Sequence, residues 1–460
     1  MGARYPIWQP AISLTVLRRL AYVAGPSEGR QLAHRAASQT GNDPAGGRRG
    51  NFWIISHYKD FRYLWIGNFF TVGAQWIQIL TVGWLVLELS GGNAFLTGTA
   101  VGIRTLPILI VGPWAGVLAD RVDRRKLVMF TQVYMALSAV IFAFLVLATD
   151  LDTSPVTGPL KWWHAFIYMG ISGIAHSIVQ PVRQTMVPNT VPLRDLGAAL
   201  ALNGMAHPTM RIVGPAIGGL LIATLGFNWN FFIEAAAYVT IVLIYLPMKL
   251  PYREERTTKG TSLLSSMQEG LAYVVKERTI LQLILMAVIP NLVFQPVTFV
   301  LPIFTTQVLG RGADAGGLLA AAIGAGGIVA AVIIAGKGFM ISRGPATLAG
   351  LIGGCIFILL FAQSTWYFSS MAFLAGLGFF QYIFRVGNNT LIQTIVPDAL
   401  RGRVMSIYML DNGLTPLATM AISFLIHVWS PAGAYTVLAS VSLVFALLQL
   451  AFFRRIRELA

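Results

Sequence analysis

Twelve apolar runs, each near the ~20 residues a helix needs to cross a bilayer core, leave this chain few ways to fold. Their approximate limits are 61–88, 95–119, 127–149, 163–187, 197–225, 230–248, 279–308, 316–336, 345–363, 367–395, 404–426 and 433–453. Hydrocarbon offers no water to backbone N–H and C=O groups, so segments of this kind satisfy them internally as helices. The fold class that follows is an all-α polytopic membrane protein of twelve transmembrane helices. Of 460 residues, 56% are hydrophobic and 11% charged, which leaves no stretch for a soluble catalytic domain. The net charge of +15 could suggest nucleic acid, but that reading needs a solvated basic patch on a soluble fold, and none is present. The one cysteine, Cys355, lies inside an apolar run and permits no intrachain disulfide.

The turn between the second and third runs, Gly116 to Leu127, packs six charges between two hydrophobic segments, and four of them are basic. Charges at that density belong in water, and a Lys/Arg excess in a short loop marks the cytoplasmic side. Alternation then places both termini in the cytoplasm. Of the 33 Lys and Arg residues, 27 fall in segments that this topology puts inside, two (Lys161 and Arg311) fall outside, and four (Arg104, Arg183, Arg211 and Arg385) lie in or at the ends of spans. Residues 1–56 are a basic tail without a span-length run, read as a disordered cytoplasmic extension. Residues 249–278 join span six to span seven. They begin with charges and continue with Leu263, Met267, Leu271 and Val275 at four-residue spacing, the pattern of an interfacial helix.

The chain repeats itself. Gln184-Thr185-Met186-Val187-Pro188 recurs as Gln393-Thr394-Ile395-Val396-Pro397, and the same offset carries Arg194 onto Arg403 and Asn203-Gly204 onto Asn412-Gly413. Two six-helix repeats, 57–248 and 279–453, with a short tail at 454–460, are therefore expected, and a substrate site near midplane between them.

The charged turn, Gly116-Val-Leu-Ala-Asp120-Arg121-Val-Asp123-Arg124-Arg125-Lys126, resembles the G-x-L-a-D-R-x-G-R-R-K signature that the major facilitator superfamily places between its second and third helices. Phe61 to Leu89, Arg104-x-x-Pro107, Pro181-x-Arg183-Gln184, Arg211-Ile-Val-Gly-Pro-Ala-Ile-Gly-Gly219 and Arg401 to Tyr408 are similar to the branch containing enterobactin exporters and macrolide efflux proteins. The resemblance implies the major facilitator fold in the cell's inner membrane and export of a small organic molecule by proton antiport. It makes Gly116, Asp120, Arg121, Arg124 and Arg125 a gating motif, with Asp120 meeting the start of span eleven, about Arg403 to Met405, in one state only. It also makes Gly214, Pro215, Gly218 and Gly219 a helix-packing motif. Those residues suit close approach on physical grounds as well, since proline bends a helix and glycine lets a neighbour's backbone come near.

Polar residues within spans mark a candidate pathway. Asn68, Thr71, Gln75 and Gln78 form one stripe on span one, and Asn291, Gln295 and Thr298 form another on span seven. Span four offers His176 and Gln180, and span ten offers Gln381, Arg385 and Asn389, so a substrate cavity lined by all four spans is expected. For proton coupling the candidates are Asp411, Glu234 and Arg211. Arg211 and Glu234 lie at similar heights and could pair; Asp411 is within reach of Arg385. Gly170-Ile171-Ser172-Gly173 matches the G-x-S-G of rhomboid intramembrane proteases, with His207 on the next span. The heights of Ser172 and His207 disagree, which counts against a dyad. An uptake carrier of the same fold is a further alternative. No nucleotide loop, metal cluster or cofactor motif occurs in the sequence, so the expected partners are a small-molecule substrate, protons and the bilayer, with no cofactor or nucleic acid, and the transporter is expected to be a monomer rather than an enzyme.

Overall fold

The structure, a computed structural model, describes residues 53–460 apart from 109, 112–121, 152, 154–155, 193–194, 251–262, 338–342, 398–399, 401–402, 406, 409–412 and 458–460. Ile54–Ala460 form one compact unit, to which everything below refers. Ten helices are long and apolar enough to cross a membrane. They are α1 (Lys59–Leu89), α3 (Arg124–Leu147), α4 (Trp162–Met186), α5 (Leu196–Leu225), α6 (Phe227–Tyr245), α7 (Arg278–Gln307), α8 (Ala313–Lys337), α9 (Arg343–Ala362), α10 (Tyr367–Ile395) and α12 (Pro431–Phe452). The two remaining spans are α2, described over Ala94–Ile103, and α11, described over Leu414–Val428. The chain is a twelve-helix membrane protein. The exposed large apolar side chains, among them Phe130 at 73%, Leu137 at 60% and Val441 at 63%, belong against lipid.

Local chemistry sets the element ends. Asp123 caps α3, its carboxylate accepting from the backbone of Arg125 at 2.9 Å and Lys126 at 3.2 Å. Arg125 reaches across to carbonyls just past the end of α6, donating to Met248 O at 2.7 Å and Leu246 O at 2.5 Å, and Arg124 donates to Thr185 O at the end of α4. A guanidinium at a helix C-terminus satisfies orphan carbonyls and opposes the macrodipole. At the same end of the bundle the backbone N–H of Lys249 donates to Asp60, and the Tyr58 hydroxyl to Asp195, both at 2.6 Å.

Two spans are less regular than hydropathy suggests. The expected run 95–119 is interrupted: α2 stops at Ile103, turns through Arg104–Leu106 and resumes at Pro107. Proline has no N–H to give to Ile103, so the ladder breaks there. The break is accommodated by Gly173 of α4, where a Cβ would stand 2.2 Å from Arg104 O and 3.0 Å from Pro107. In α7, Pro290–Phe294 form a π turn, again at a proline. Between spans six and seven a helix runs Leu263–Lys276, with Leu271 and Val275 exposed and Val274 buried.

The first six spans meet the last six along seams of small residues. Gly219 of α5 and Gly317 of α8 face each other: a Cβ on Gly219 would lie 2.4 Å from Ala313 O, and one on Gly317 2.4 Å from Pro215 O. On α2, Gly98 packs against Ser423 of α11, and Gly102 stands 3.2 Å, by its would-be Cβ, from Pro416 O. Gly83 of α1 meets Pro302 of α7, and Gly316 lies on the Trp84 ring. All these approaches fall in the half of the bundle that ends at Gly92 and Trp429, the end opposite to Asp123 and Lys249.

Candidate substrate cavity and buried polar cluster

A cavity of about 320 Å³ opens between α5, α8 and α10. Its polar lining comes from His207 and Arg211 of α5 and from Gln381, Tyr382, Arg385, Asn389 and Thr390 of α10; α8 contributes Ile323, Gly324 and Gly327. Position along the helices places it from mid-span toward the Asp123 end, away from the glycine seams. The volume is that of a small-molecule site. Arg211 donates to Gln381 Oε1 at 3.2 Å, and its guanidinium lies 5.8 Å over the ring of Trp76. Trp76 also meets His207 edge-on, with centroids 5.7 Å apart. One indole from α1 thus contacts both His207 and Arg211 of α5. The backbone of α5 comes this near because Gly214 is there: a Cβ at that position would be 2.6 Å from Trp76 Cβ. Gly218 meets Ile77 and Leu80 in the same way, and Pro215 lends its carbonyl to the Gly317 contact.

A second polar centre lies wholly within α1, α2, α4 and α6. Gln78 uses all of its amide: Nε2 donates to Glu234 Oε1 at 2.6 Å and Tyr168 Oη at 3.1 Å, while Oε1 accepts from Arg104 Nε at 3.0 Å and Ser172 Oγ at 2.8 Å. Tyr238 Oη donates to Glu234 Oε1 at 3.0 Å. Gln78, Ser172 and Glu234 are fully buried. Glu234 Oε2 has no hydrogen-bond partner among the described residues. The break in α2 is what lets Arg104 turn into this core. Beside the cluster sits a cavity of about 20 Å³, bordered by Gln75, Arg104, Gln132, Ser172, His176 and Tyr238, room for a single water.

These placements separate residues that sequence spacing grouped. Of the expected cavity residues, Gln381, Arg385 and Asn389 share the large cavity. Asn68 instead donates to Asn203 of α5, Gln78 joins the buried cluster, and Gln75 and His176 border the small cavity. Gln180 accepts from Arg183 one turn on. Asn291 donates to Ala287 O and accepts from Thr415 of α11, and Gln295, just past the π turn, is half-buried outside the large cavity. The suggested Arg211–Glu234 pair does not form: Arg211 turns toward α10 and Glu234 toward α1. Ser172 and His207 form no dyad, the one bonded to Gln78 and the other against Trp76. Arg403 pairs with Glu269 of the helix before α7. Gly116, Asp120, Arg121 and Asp411 lie outside the described residues. Sequence reasoning missed Trp76, Tyr168 and Tyr238. A tyrosine four residues after Glu234 was the available signal.

The architecture is shared with proteins of known structure. A peptide transporter of the POT family superposes with a TM-score of 0.69 over 87% of this chain and 96% of its own at 12% identity, and a D-xylose–proton symporter with 0.64 over 86% and 97% at 14%. A family model described as transmembrane secretion effector matches residues 55–455. The chain belongs to this family of the major facilitator superfamily. As a major facilitator it is a transporter, not an enzyme. Its relatives include the staphyloferrin A transporter of Staphylococcus aureus, 23% identical with 82% of this chain and 92% of that protein covered. The enterobactin exporter of Shigella boydii is 23% identical, with coverage of 79% and 84%. Macrolide efflux protein A of Streptococcus pyogenes is 22% identical over 55% of this chain and 60% of its own length.

Proposed function

We propose that this major facilitator exports a small amphipathic organic molecule by alternating access, as a monomer in the inner membrane with both termini in the cytoplasm, driven by proton antiport. The observation that carries this reading is the 320 Å³ polar cavity between α5, α8 and α10, placed toward one face while glycine seams hold the spans together toward the other. In the proposed cycle the halves 57–248 and 279–453 rock about α5 and α8. The Asp123 end is cytoplasmic, as the distribution of Lys and Arg favours, so the arrangement described is open inward. The charged turn with Gly116, Asp120 and Arg121 closes that face when the halves come together, and Arg124 and Arg125 anchor it on α4 and α6.

Coupling to protons needs a buried group able to exchange one. Glu234 is supported by its place at the eighth residue of α6, its burial and its unpartnered Oε2. Gln78 holds it apart from Arg104, so that the charge of the arginine is near without a direct ion pair. Asp411 is the second proposed coupling group. The names of the relatives support a substrate of the siderophore or drug class. Purified protein in proteoliposomes with an imposed pH gradient tests the reading: siderophores and macrolides are offered on one side, and net movement is followed. Export is the expected direction. Accumulation on the cytoplasmic side would make the protein an uptake carrier of the same fold.

A further inference from the structure

We infer that the cavity between α5, α8 and α10 is an organic-anion site, in which a carboxylate sits between Arg211 and Arg385. The inference deepens the export reading by naming a charge class of substrate, and rests on it only for the direction of movement. Two guanidiniums and an imidazole, His207, line a space of about 320 Å³, and no Asp or Glu does so among the described residues. Cations in a membrane interior are costly unless something compensates them. Here the compensation from protein is incomplete. Among the described residues Arg211 has one hydrogen bond, to a neutral amide, and its Nε is buried without a partner. The Arg385 side chain is exposed to the cavity.

Guanidinium offers paired N–H donors in the geometry of a carboxylate, and such charge-assisted bonds are the strong ones. The rest of the lining suits the rest of such a molecule. Tyr382 supplies aromatic surface, and Gln381 and Asn389 supply neutral polar contacts. A cationic drug would meet two like charges with no carboxylate beside them among the described lining residues, a repulsion that disfavours it. By contrast, the carboxylate Glu234 faces α1 and α2, away from the cavity, and does not neutralise it.

The test uses two dyes that share a xanthene frame and differ in charge, 6-carboxyfluorescein and rhodamine 123, titrated with purified full-length protein and read by fluorescence anisotropy. Saturable binding is expected for 6-carboxyfluorescein and not for rhodamine 123. Losing a charged hydrogen-bond partner in Arg211→Gln or Arg385→Gln is expected to weaken 6-carboxyfluorescein binding by about tenfold or more. If a Gln variant fails to fold, Arg211→Lys and Arg385→Lys decide: they keep the charge but lose the paired donors, so anion binding several-fold weaker than wild type is expected, and wild-type affinity in both overturns the inference. Equal or tighter binding of rhodamine 123, no saturable binding of 6-carboxyfluorescein, or affinities indifferent to Arg→Gln would overturn the inference. Transport in everted vesicles separates the two claims. Pumping of rhodamine 123 but not the anion would leave export standing and remove the anion site; anion binding with no pumping would do the reverse.

Discussion

Replacing Gly219 by alanine puts one methyl group into the seam between α5 and α8, and the structure allows its effect to be worked out. The added Cβ would lie 2.4 Å from Ala313 O and 3.1 Å from Gly317 Cα. Contacts to real Cβ atoms essentially never fall below 3.0 Å, so the helices must separate by at least the 0.6 Å difference, and because the obstacle is backbone no side chain can rotate away. Overpacking of this kind costs about 1–3 kcal/mol. In the proposed cycle the seam is closed only when the cavity faces the Asp123 end, so the cost falls on that state alone and shifts the equilibrium about 5- to 150-fold toward the other. Spin labels at Pro159 and Trp366, both exposed at the Gly92 end, report the change by electron–electron distance measurement. Cys355 is fully buried, which keeps the native thiol away from the label. Longer distances are expected for Gly219→Ala and for Gly317→Ala, whose methyl would meet Pro215 O at 2.4 Å. Gly197→Ala, with nothing within 4 Å of its would-be Cβ, is the control. An unchanged distance distribution in both seam variants, or the same shift in the control, would refute the reasoning.

Other expectations follow from the polar contacts. Glu234→Gln keeps an acceptor for Gln78 and Tyr238 while removing the exchangeable acid, so uphill transport under a pH gradient should be lost with substrate binding and exchange retained; concentrative transport equal to wild type assigns coupling elsewhere, and Asp411→Asn in the same assay shows whether Asp411 carries it. Arg125→Gln removes two charged bonds to the end of α6 and should cost about 1–2 kcal/mol, seen as a lower melting temperature. Lys126→Gln, at an exposed site, should leave the melting temperature unchanged. Asp120→Asn should preserve membrane expression but cut transport, and cross-linking across the cytoplasmic face should fall with it; unchanged transport and unchanged cross-linking remove the gating role. Ser172→Ala should lower stability by about 1 kcal/mol through the lost bond to Gln78.

Hydropathy placed most spans within a few residues, because crossing a bilayer is a demand on length and polarity that each segment meets alone. What it could not show is which way a helix faces. In a soluble protein the apolar stripe points inward; in a membrane both lipid and core are apolar, so the signal that sets rotation is weak. The stripe of Asn68, Gln75 and Gln78 was legible as a stripe, but its partners lie on α2, α4, α5 and α6 and not in the large cavity. Arg211 and Glu234 illustrate the same limit. Rise per residue compares their heights and says nothing of azimuth, so the expected pair dissolves once α5 is seen to turn its arginine toward α10. Pro107 and Pro290 stand at the two stretches of irregular backbone, which hydropathy passes over as continuous spans, and nothing in the pattern says that the first would swing Arg104 into a core.

The bonds of Arg125 to Leu246 and Met248 also bear on biogenesis. On the proposed topology the guanidinium is a free topogenic charge as α3 leaves the ribosome, and the carbonyls it finally holds lie more than a hundred residues further along the unfinished chain. The residue therefore serves first as an address and only later as a clasp, once α6 has been threaded through and its end returns to the same face. An early-translation intermediate would lack that clasp, and a mutation there would act twice, once on insertion and once on assembly.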